Sequence, residues 1–296
     1  MDMGASVIAK LKNKAQSSGM SFQVHLRLFC QEEFLRRLSL SRYADNLVLK
    51  GGLFLFALTG FESRATIDVD FLLRQTPGSV EDARRIVSEI IDTPSGNDFI
   101  TFDMSSFEEI TPQRKYRGVS FQLTGKIKNT KTPFNVDFGI GDIIVPKVEK
   151  RLIPTQLDTF TPPEVITYSL ESTVAEKFDA MLQRMELTSR MKDYYDIYFI
   201  ARTFGFDGRK LQEAIMQTLQ NRGTDYDRSS FAEIISFSEN DAMLVKWRHF
   251  LRHTKLPNID FGEVTGLLNT FLGGIWSAIV NEDEWHKTWD SQTTSW

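Results

Sequence analysis

The sequence predicts a mixed α/β (α+β) chain, with a strand-bearing N-terminal region followed by a helical C-terminal one. Three observations carry this. Aromatic and β-branched residues dominate several short runs between Leu47 and Ile140, some in strict alternation with polar ones, the signature of half-buried strands. From Leu170 onward apolar residues recur at helical spacing instead. Between these regions lies a stretch carrying Pro146, Pro154, Pro162 and Pro163, a composition suited to a connection between domains. The expected division is 1–160 and 161–296, and 296 residues permit one large domain or two of moderate size.

Taken in order, residues 6–16 and 22–39 read as two helices separated by Ser17-Ser18-Gly19. In the second, Val24, Leu28, Phe29, Phe34, Leu35 and Leu38 form an apolar stripe opposite an arginine-rich polar face. Leu47 to Leu49 make a short strand, and 53–58 continue as helix. A strand spans Ile67 to Leu73. The break Thr76-Pro77-Gly78-Ser79 ends with a serine able to cap a helix over 80–91, whose first turn holds Glu81 and Asp82. Strands are expected over 99–110, 118–128 and 133–140, with Asn129 to Thr132 as the hairpin loop between the last two. Helices then run over 170–187, 191–203, 210–221, 239–253 and 261–280. The polar tail carries Trp285, Trp289 and Trp296, which implies docking on the body or on a partner.

Composition narrows the function classes. The chain is 41% hydrophobic and 25% charged, with a net charge of −4, so a global basic footprint for nucleic acid is missing. Basic residues do predominate locally: Arg114, Lys115, Arg117, Lys126, Lys128, Lys131, Lys147, Lys150 and Arg151. That run suits a solvated hairpin surface or an RNA-facing patch equally. The single cysteine, Cys30, lies in an apolar helical pattern and reads as a buried thiol in a reducing cytoplasm. No signal-peptide pattern is apparent, and Leu267 to Val280 is too short an apolar run to span a bilayer. The expectation is a cytoplasmic protein with no membrane partner. His249 and His253 are spaced as helical zinc ligands can be, but without the accompanying glutamate, so they read as surface or core histidines. A serine or cysteine nucleophile signature is likewise missing.

The chemistry concentrates between Lys50 and Leu73. Asp68 and Asp70 alternate with Ile67, Val69 and Phe71, so the apolar three would face the core and both carboxylates the opposite side. Adjacent like charges repel, and a divalent cation is the usual remedy; hard oxygen ligands of this kind suit Mg²⁺. Asp137 sits in a similar alternating strand, Phe134-Asn135-Val136-Asp137-Phe138. Gly51 and Gly52 follow an apolar strand at a helix start, where backbone N–H groups can hold phosphate. Lys50 beside them can pair with phosphate or sit in solvent. Arg64 can contact phosphate or pair with Glu62 or Asp68. Together these residues point to a metal–nucleotide site. In the helical region, Lys177 lies at the edge of an apolar stripe made by Val174, Phe178 and Met181. Asp193 and Asp196 share a helix face just before the apolar run Ile197 to Ile200.

Gly51-Gly52, Asp68-x-Asp70 and a later strand aspartate, Asp137, resemble the DNA polymerase β-like nucleotidyltransferases. More narrowly, Leu-x-Lys-Gly-Gly followed by Arg-x-Thr-x-Asp-x-Asp resembles the AbiEii/AbiGii-type toxin nucleotidyltransferases, the group that includes the MenT toxins. Ala175-Glu176-Lys177 and Lys192-Asp193-Tyr194-Tyr195-Asp196 resemble that group's two C-terminal motifs, and the likeness covers most of 22–205. The resemblance implies a nucleotidyltransferase domain with a twisted mixed sheet plus a C-terminal helical domain. It implies Asp68, Asp70 and Asp137 as catalytic metal ligands for Mg²⁺ or Mn²⁺, with Asp142 competing for the third place. It implies Gly51, Gly52, Lys50, Arg64 and Thr66 as nucleotide-binding residues. Lys177 and Asp196 complete the catalytic set, with Lys192 and Asp193 as second choices. Thr66 matches a hydroxyl that is phosphorylated in some family members. The implied partners are an NTP, a tRNA accepting NMP at its 3′ end, and a cognate antitoxin. Two other readings remain open: transfer to a small molecule or protein, and a non-catalytic nucleotide- or antitoxin-binding module.

Overall fold

A computed structural model of the chain describes residues 2–60, 64, 66–75, 79–110, 118–185, 190–254 and 256–296. The chain divides into two compact units, one comprising Met1–Gly141 with Val148–Tyr168, the other Asp142–Lys147 with Ser169–Trp296.

The first unit begins with α1 (Met3–Ser18), capped by the Asp2 side chain and ended by Gly19 at φ +72°. Helix α2 (Phe22–Leu40) follows, capped by Ser21. The sheet is seven-stranded and mixed. Its strands are β1 (Leu47–Lys50), β2 (Asp68–Leu73), β3 (Ile100–Ile110), β4 (Gly118–Ile127), β5 (Thr130–Ile140), β6 (Glu149–Leu152) and β7 (Glu164–Thr167), in the order β3-β4-β5-β2-β1-β7-β6. Helix α3 (Gly51–Leu58) links β1 to β2, and α4 (Val80–Asp92) precedes β3. Ser79 caps α4 by accepting from the Asp82 N–H at 3.1 Å, as the sequence indicates. Beneath the central strands lies an aromatic cluster. Phe71 packs edge-on to Phe138 (6.0 Å), Phe138 against Phe121 (5.5 Å), and Phe34 of α2 meets Phe71 (6.0 Å).

Several expectations change here. Ile67 does not face the core: it precedes β2 and is 51% exposed, leaving Val69 and Phe71 to bury that face. The hairpin between β4 and β5 is tighter than Asn129 to Thr132, because Ile127 pairs directly with Thr130 and Lys128 takes a left-handed turn at φ +53°. The proline-rich stretch is more than a connection. It contains β6, which pairs antiparallel with β7, and β7 joins the sheet parallel to β1. The first unit therefore extends to Tyr168. Thr76 to Gly78, Leu187 and three of the basic residues, Arg114, Lys115 and Arg117, lie outside the described residues.

The arginine face of α2 is also buried, because α1, α4, β5 and β7 cover the helix on several sides. Arg37 donates to the carbonyls of Ile91 and Ile100 and lies over the Phe102 ring. Arg36 donates to Glu33 and to the Thr161 carbonyl. Cys30 is buried as expected, and burial pushes its thiol up to about 12.

The second unit is helical: α5 (Leu170–Arg184), α6 (Met191–Thr203), α7 (Gly208–Arg222), α8 (Ser230–Ser236), α9 (Asp241–Thr254) and α10 (Phe261–Asn281). Helix α10 reaches 21 residues and is long and apolar enough to cross a membrane, longer than the apolar run suggests. Half of that window is buried inside the unit, where α10 packs on α6, α7 and α8. The tryptophan tail docks on this unit. Strands β8 (Phe206–Asp207) and β9 (Thr288–Trp289) pair, and the Trp289 indole donates to the Ala201 carbonyl at 2.7 Å. Trp296 stacks on Phe271 and donates to its carbonyl at 2.9 Å.

One buried group sets a pH dependence. The Glu32 side chain accepts from the Gln156 N–H at 3.0 Å through Oε1, while Oε2 has no hydrogen-bond partner among the described residues. Burial pushes its carboxyl from 4.5 up to about 8. The fold thus holds a proton that the unfolded chain releases, so stability falls as pH rises from about 4.5 through about 8. Glu32→Gln keeps an acceptor, removes the titration and is expected to flatten this fall. Denaturant midpoints between about pH 5 and pH 9 should show wild type losing more than about 1 kcal/mol relative to the variant. Parallel curves would refute the assignment to Glu32.

Candidate active site

The polar face of the sheet is built by strand register. Strands β1 and β2 are antiparallel, with Lys50 opposite Asp70. Strands β2 and β5 are parallel, with Asp70 opposite Asp137 and Asp68 opposite Asn135. Strands β4 and β5 are antiparallel, with Ser120 opposite Asp137. Residues opposite one another in register share a face. A row Lys50–Asp70–Asp137–Ser120 therefore crosses four strands, with Asp68 and Asn135 one step along.

Two of these carboxylates are oriented by neighbours. Asp137 accepts from the Ser120 hydroxyl at 2.6 Å, and Asp68 accepts from the Asn135 amide at 3.0 Å. Both aspartates of β2 are half-buried, while the alternating Val69 and Phe71 are fully buried. Neighbouring strands lie about 4.8 Å apart, so Asp70 and Asp137 place two like charges within reach of a single cation.

The glycines have a steric reason. Gly51 adopts φ +71°, and a Cβ there would fall 2.1 Å from the Asp70 carboxylate oxygen. Only glycine lets the start of α3 pass against that aspartate. A Cβ on Gly52 already has Thr66 Cβ at 3.0 Å. Thr66 is held by the Asp68 backbone, its hydroxyl accepting from the Asp68 N–H at 3.4 Å. Lys50 packs its ammonium over the Tyr168 ring, 5.2 Å from the centroid. Arg64 lies in the segment before Thr66 and is half-buried; Glu62 lies outside the described residues.

The second unit carries the remaining candidates. Lys177 of α5 meets two aspartates of α6, Asp196 at 2.5 Å and Asp193 at 3.5 Å, and Asp193 also pairs with Arg190 at 2.7 Å. The Asp193 and Asp196 side chains are almost fully buried, while Lys192 is exposed. Asp142 belongs to this unit, where its Oδ1 accepts from Arg222 Nε at 3.1 Å and Nη2 at 2.9 Å. Arg222 also pairs with Glu176 (3.0 Å) and Asp179 (2.9 Å). Burial works against the charged guanidinium, but the three carboxylates more than offset this and raise its pKa. Asp142 is thus engaged in a structural cluster, whereas Asp137 lies beside Asp70. Sequence reasoning missed Ser120 and Asn135; their only signal was alternation in strands flanking the aspartates.

Comparison with known proteins identifies the family of the chain. The model of the AbiEii nucleotidyl transferase toxin family, of type IV toxin–antitoxin systems, matches residues 33–265. A search of curated proteins gives no match. Among solved structures, the fold is similar to the MenT4 nucleotidyltransferase toxin of Mycobacterium tuberculosis, with 15% identity over 92% of this chain and 98% of that one, and a TM-score of 0.58. JHP933 of Helicobacter pylori aligns with 14% identity over 88% and 94% of the two chains, at a TM-score of 0.49. The family implies a nucleoside triphosphate substrate and an antitoxin partner. With the family model matched over most of its length, the chain belongs to the AbiEii nucleotidyltransferase toxins.

Proposed function

We propose that the protein is a Mg²⁺-dependent nucleotidyltransferase that moves NMP from an NTP to an RNA hydroxyl, with the 3′ end of tRNA as acceptor. The observation carrying this reading is the row Lys50–Asp70–Asp137–Ser120, with Gly51 fitted against Asp70. The acceptor hydroxyl attacks the α-phosphorus, the bond to the pyrophosphate oxygen breaks, and Asp137 takes the hydroxyl proton. Gly51 and Gly52 open the first turn of α3, whose N–H groups and dipole favour phosphate. Lys50 and Arg64 supply positive charge to the same phosphates.

Asp68, Asp70 and Asp137 would hold the cation, and their donor set fits: hard carboxylate oxygens on adjacent strands. Among the described residues no group of three or more His, Cys, Asp or Glu side chains is arranged to hold a metal alone. A cation such as Mg²⁺ or Mn²⁺ is held by one or two carboxylates together with triphosphate oxygens and water. When bound, the cation neutralises phosphate charge and polarises the attacked phosphorus. Lys177 and Asp196 are the catalytic pair proposed for the second unit. The reading makes the protein a cytoplasmic toxin paired with an antitoxin, in a toxin–antitoxin or phage-defence system.

The direct test incubates protein with total tRNA, Mg²⁺ and each α-labelled NTP in turn. Label is expected to enter tRNA, with Asp70→Ala lowering the rate by about 100-fold or more. Label in protein or a small molecule instead, or full labelling by Asp70→Ala, would reject the RNA-transfer reading. A second measurement concerns the buried Lys177 pair. Asp196→Leu alone is expected to cost about 3 kcal/mol by leaving Lys177 partly uncompensated, and Lys177→Met/Asp196→Leu to recover most of that. If the recovered double variant still transfers label at the wild-type rate, the pair is structural only.

A further inference from the structure

We infer that the exposed face of α9, with the groove beside it, binds the phosphodiester backbone of the RNA acceptor; this rests on the RNA-transfer reading above. Met243, Trp247 and Leu251 bury one side of α9. The opposite arc presents Arg248, His249, Arg252 and His253, all exposed. Positions 248 and 252 are one turn apart, so both guanidinia project from one stripe. The two histidine rings lie parallel beside them, 6.3 Å apart.

The groove next to this stripe has a volume of about 460 Å³ and is lined by Arg248, Leu251, Arg252, Leu256 and Asn258. That falls within the ordinary size of ligand sites, about 300–1,000 Å³. Its far wall is held in place. Trp247 donates to the Ile259 carbonyl at 2.7 Å and stacks on Phe261, and the Leu256 N–H donates to the Leu251 carbonyl at 3.1 Å. Two guanidinia, an apolar floor and one carboxamide form the chemistry that receives phosphates, an unstacked base and a base edge.

Among the described residues, the guanidinia of Arg248 and Arg252 lie side by side without an ion pair of their own, no carboxylate being within ion-pair distance of either. Asp260, two residues past Asn258, caps α10. Four residues of the basic run noted in the sequence are paired instead. Lys126 pairs with Asp103, Lys128 with Asp2, Lys150 with Asp45 and Arg151 with Glu149. A polyanion gains more from the α9 stripe than from those four, because Arg252 donates to the Arg248 carbonyl at 3.3 Å and no carboxylate must be displaced from either guanidinium.

The test measures binding of labelled total tRNA to the full-length protein by fluorescence anisotropy across a salt series. Arg248→Gln/Arg252→Gln is compared with wild type, and both are checked for unchanged thermal unfolding. The double variant is expected to bind about tenfold more weakly, with a salt slope shallower by about 1.5 to 2. Arg248→Lys/Arg252→Lys should keep the slope. Unchanged affinity in the Gln variant, with wild type still labelling tRNA, overturns the groove alone. Failure of wild type both to label and to bind tRNA overturns the transfer reading and the groove together. Loss of poly-glutamate binding without loss of tRNA binding would overturn the proposal in favour of an acidic protein partner.

Discussion

The parallel pairing of β2 with β5 is the constraint on which the site depends. It sets Asp70 against Asp137 and Asp68 against Asn135 in one step. A strand has a side-chain period of two, so a slip of one residue would send both aspartates of β2 into the core. The opposite face prevents that. Val69 and Phe71 of β2, and Val136 and Phe138 of β5, are fully buried. The aromatic contacts Phe71–Phe138 and Phe121–Phe138 each contribute about 0.5–1.5 kcal/mol beyond area. Burying a carboxylate there would cost several kcal/mol more. The hydrophobic face therefore fixes the register, and the register assembles the polar face.

The close approach of α3 follows from the same pairing. Lys50 lies opposite Asp70, so the chain turns into a helix directly beside a carboxylate. Gly51 answers two demands at once, a left-handed φ and a vanishing side chain. A glycine pair that sequence alone could read as a plain turn is required at this point by geometry. It also leaves the first-turn N–H groups of α3 close to the acidic row, an arrangement in which a phosphate and a cation would each lower the cost of the other.

Much of this was legible in the sequence, and the exceptions share physical causes. Asp68, Asp70 and Asp137 could be read because alternation encodes a strand face without tertiary information. The strands β6 and β7 were hidden because each has four residues and prolines flank them. Their identity comes from pairing partners, which local pattern does not contain. The burial of Arg36 and Arg37 was hidden for a related reason. An arginine-rich face reads as solvated unless the helix is covered on several sides, as α2 is. The pairing of Lys177 with Asp196 and Asp193 shows the limit from the other direction. The residues were singled out, but their mutual contact appears only in the packing of α5 on α6.

Charge is organised by burial in each unit. Interior cations are met by carboxylates: Arg36 and Arg37 by Glu33, Lys177 by Asp196 and Asp193, Arg222 by Asp142, Glu176 and Asp179. Such pairs roughly offset their own desolvation and specify which helix meets which, rather than adding much stability. Glu32 fits the rule by a different route, since without a full set of partners it is held neutral. Against this background, two places gather charge at the surface of their units: the aspartate row of the sheet and the arginine stripe of α9. The first has the sign and the hard oxygens for a divalent cation, the second the sign and the planar donors for phosphodiesters.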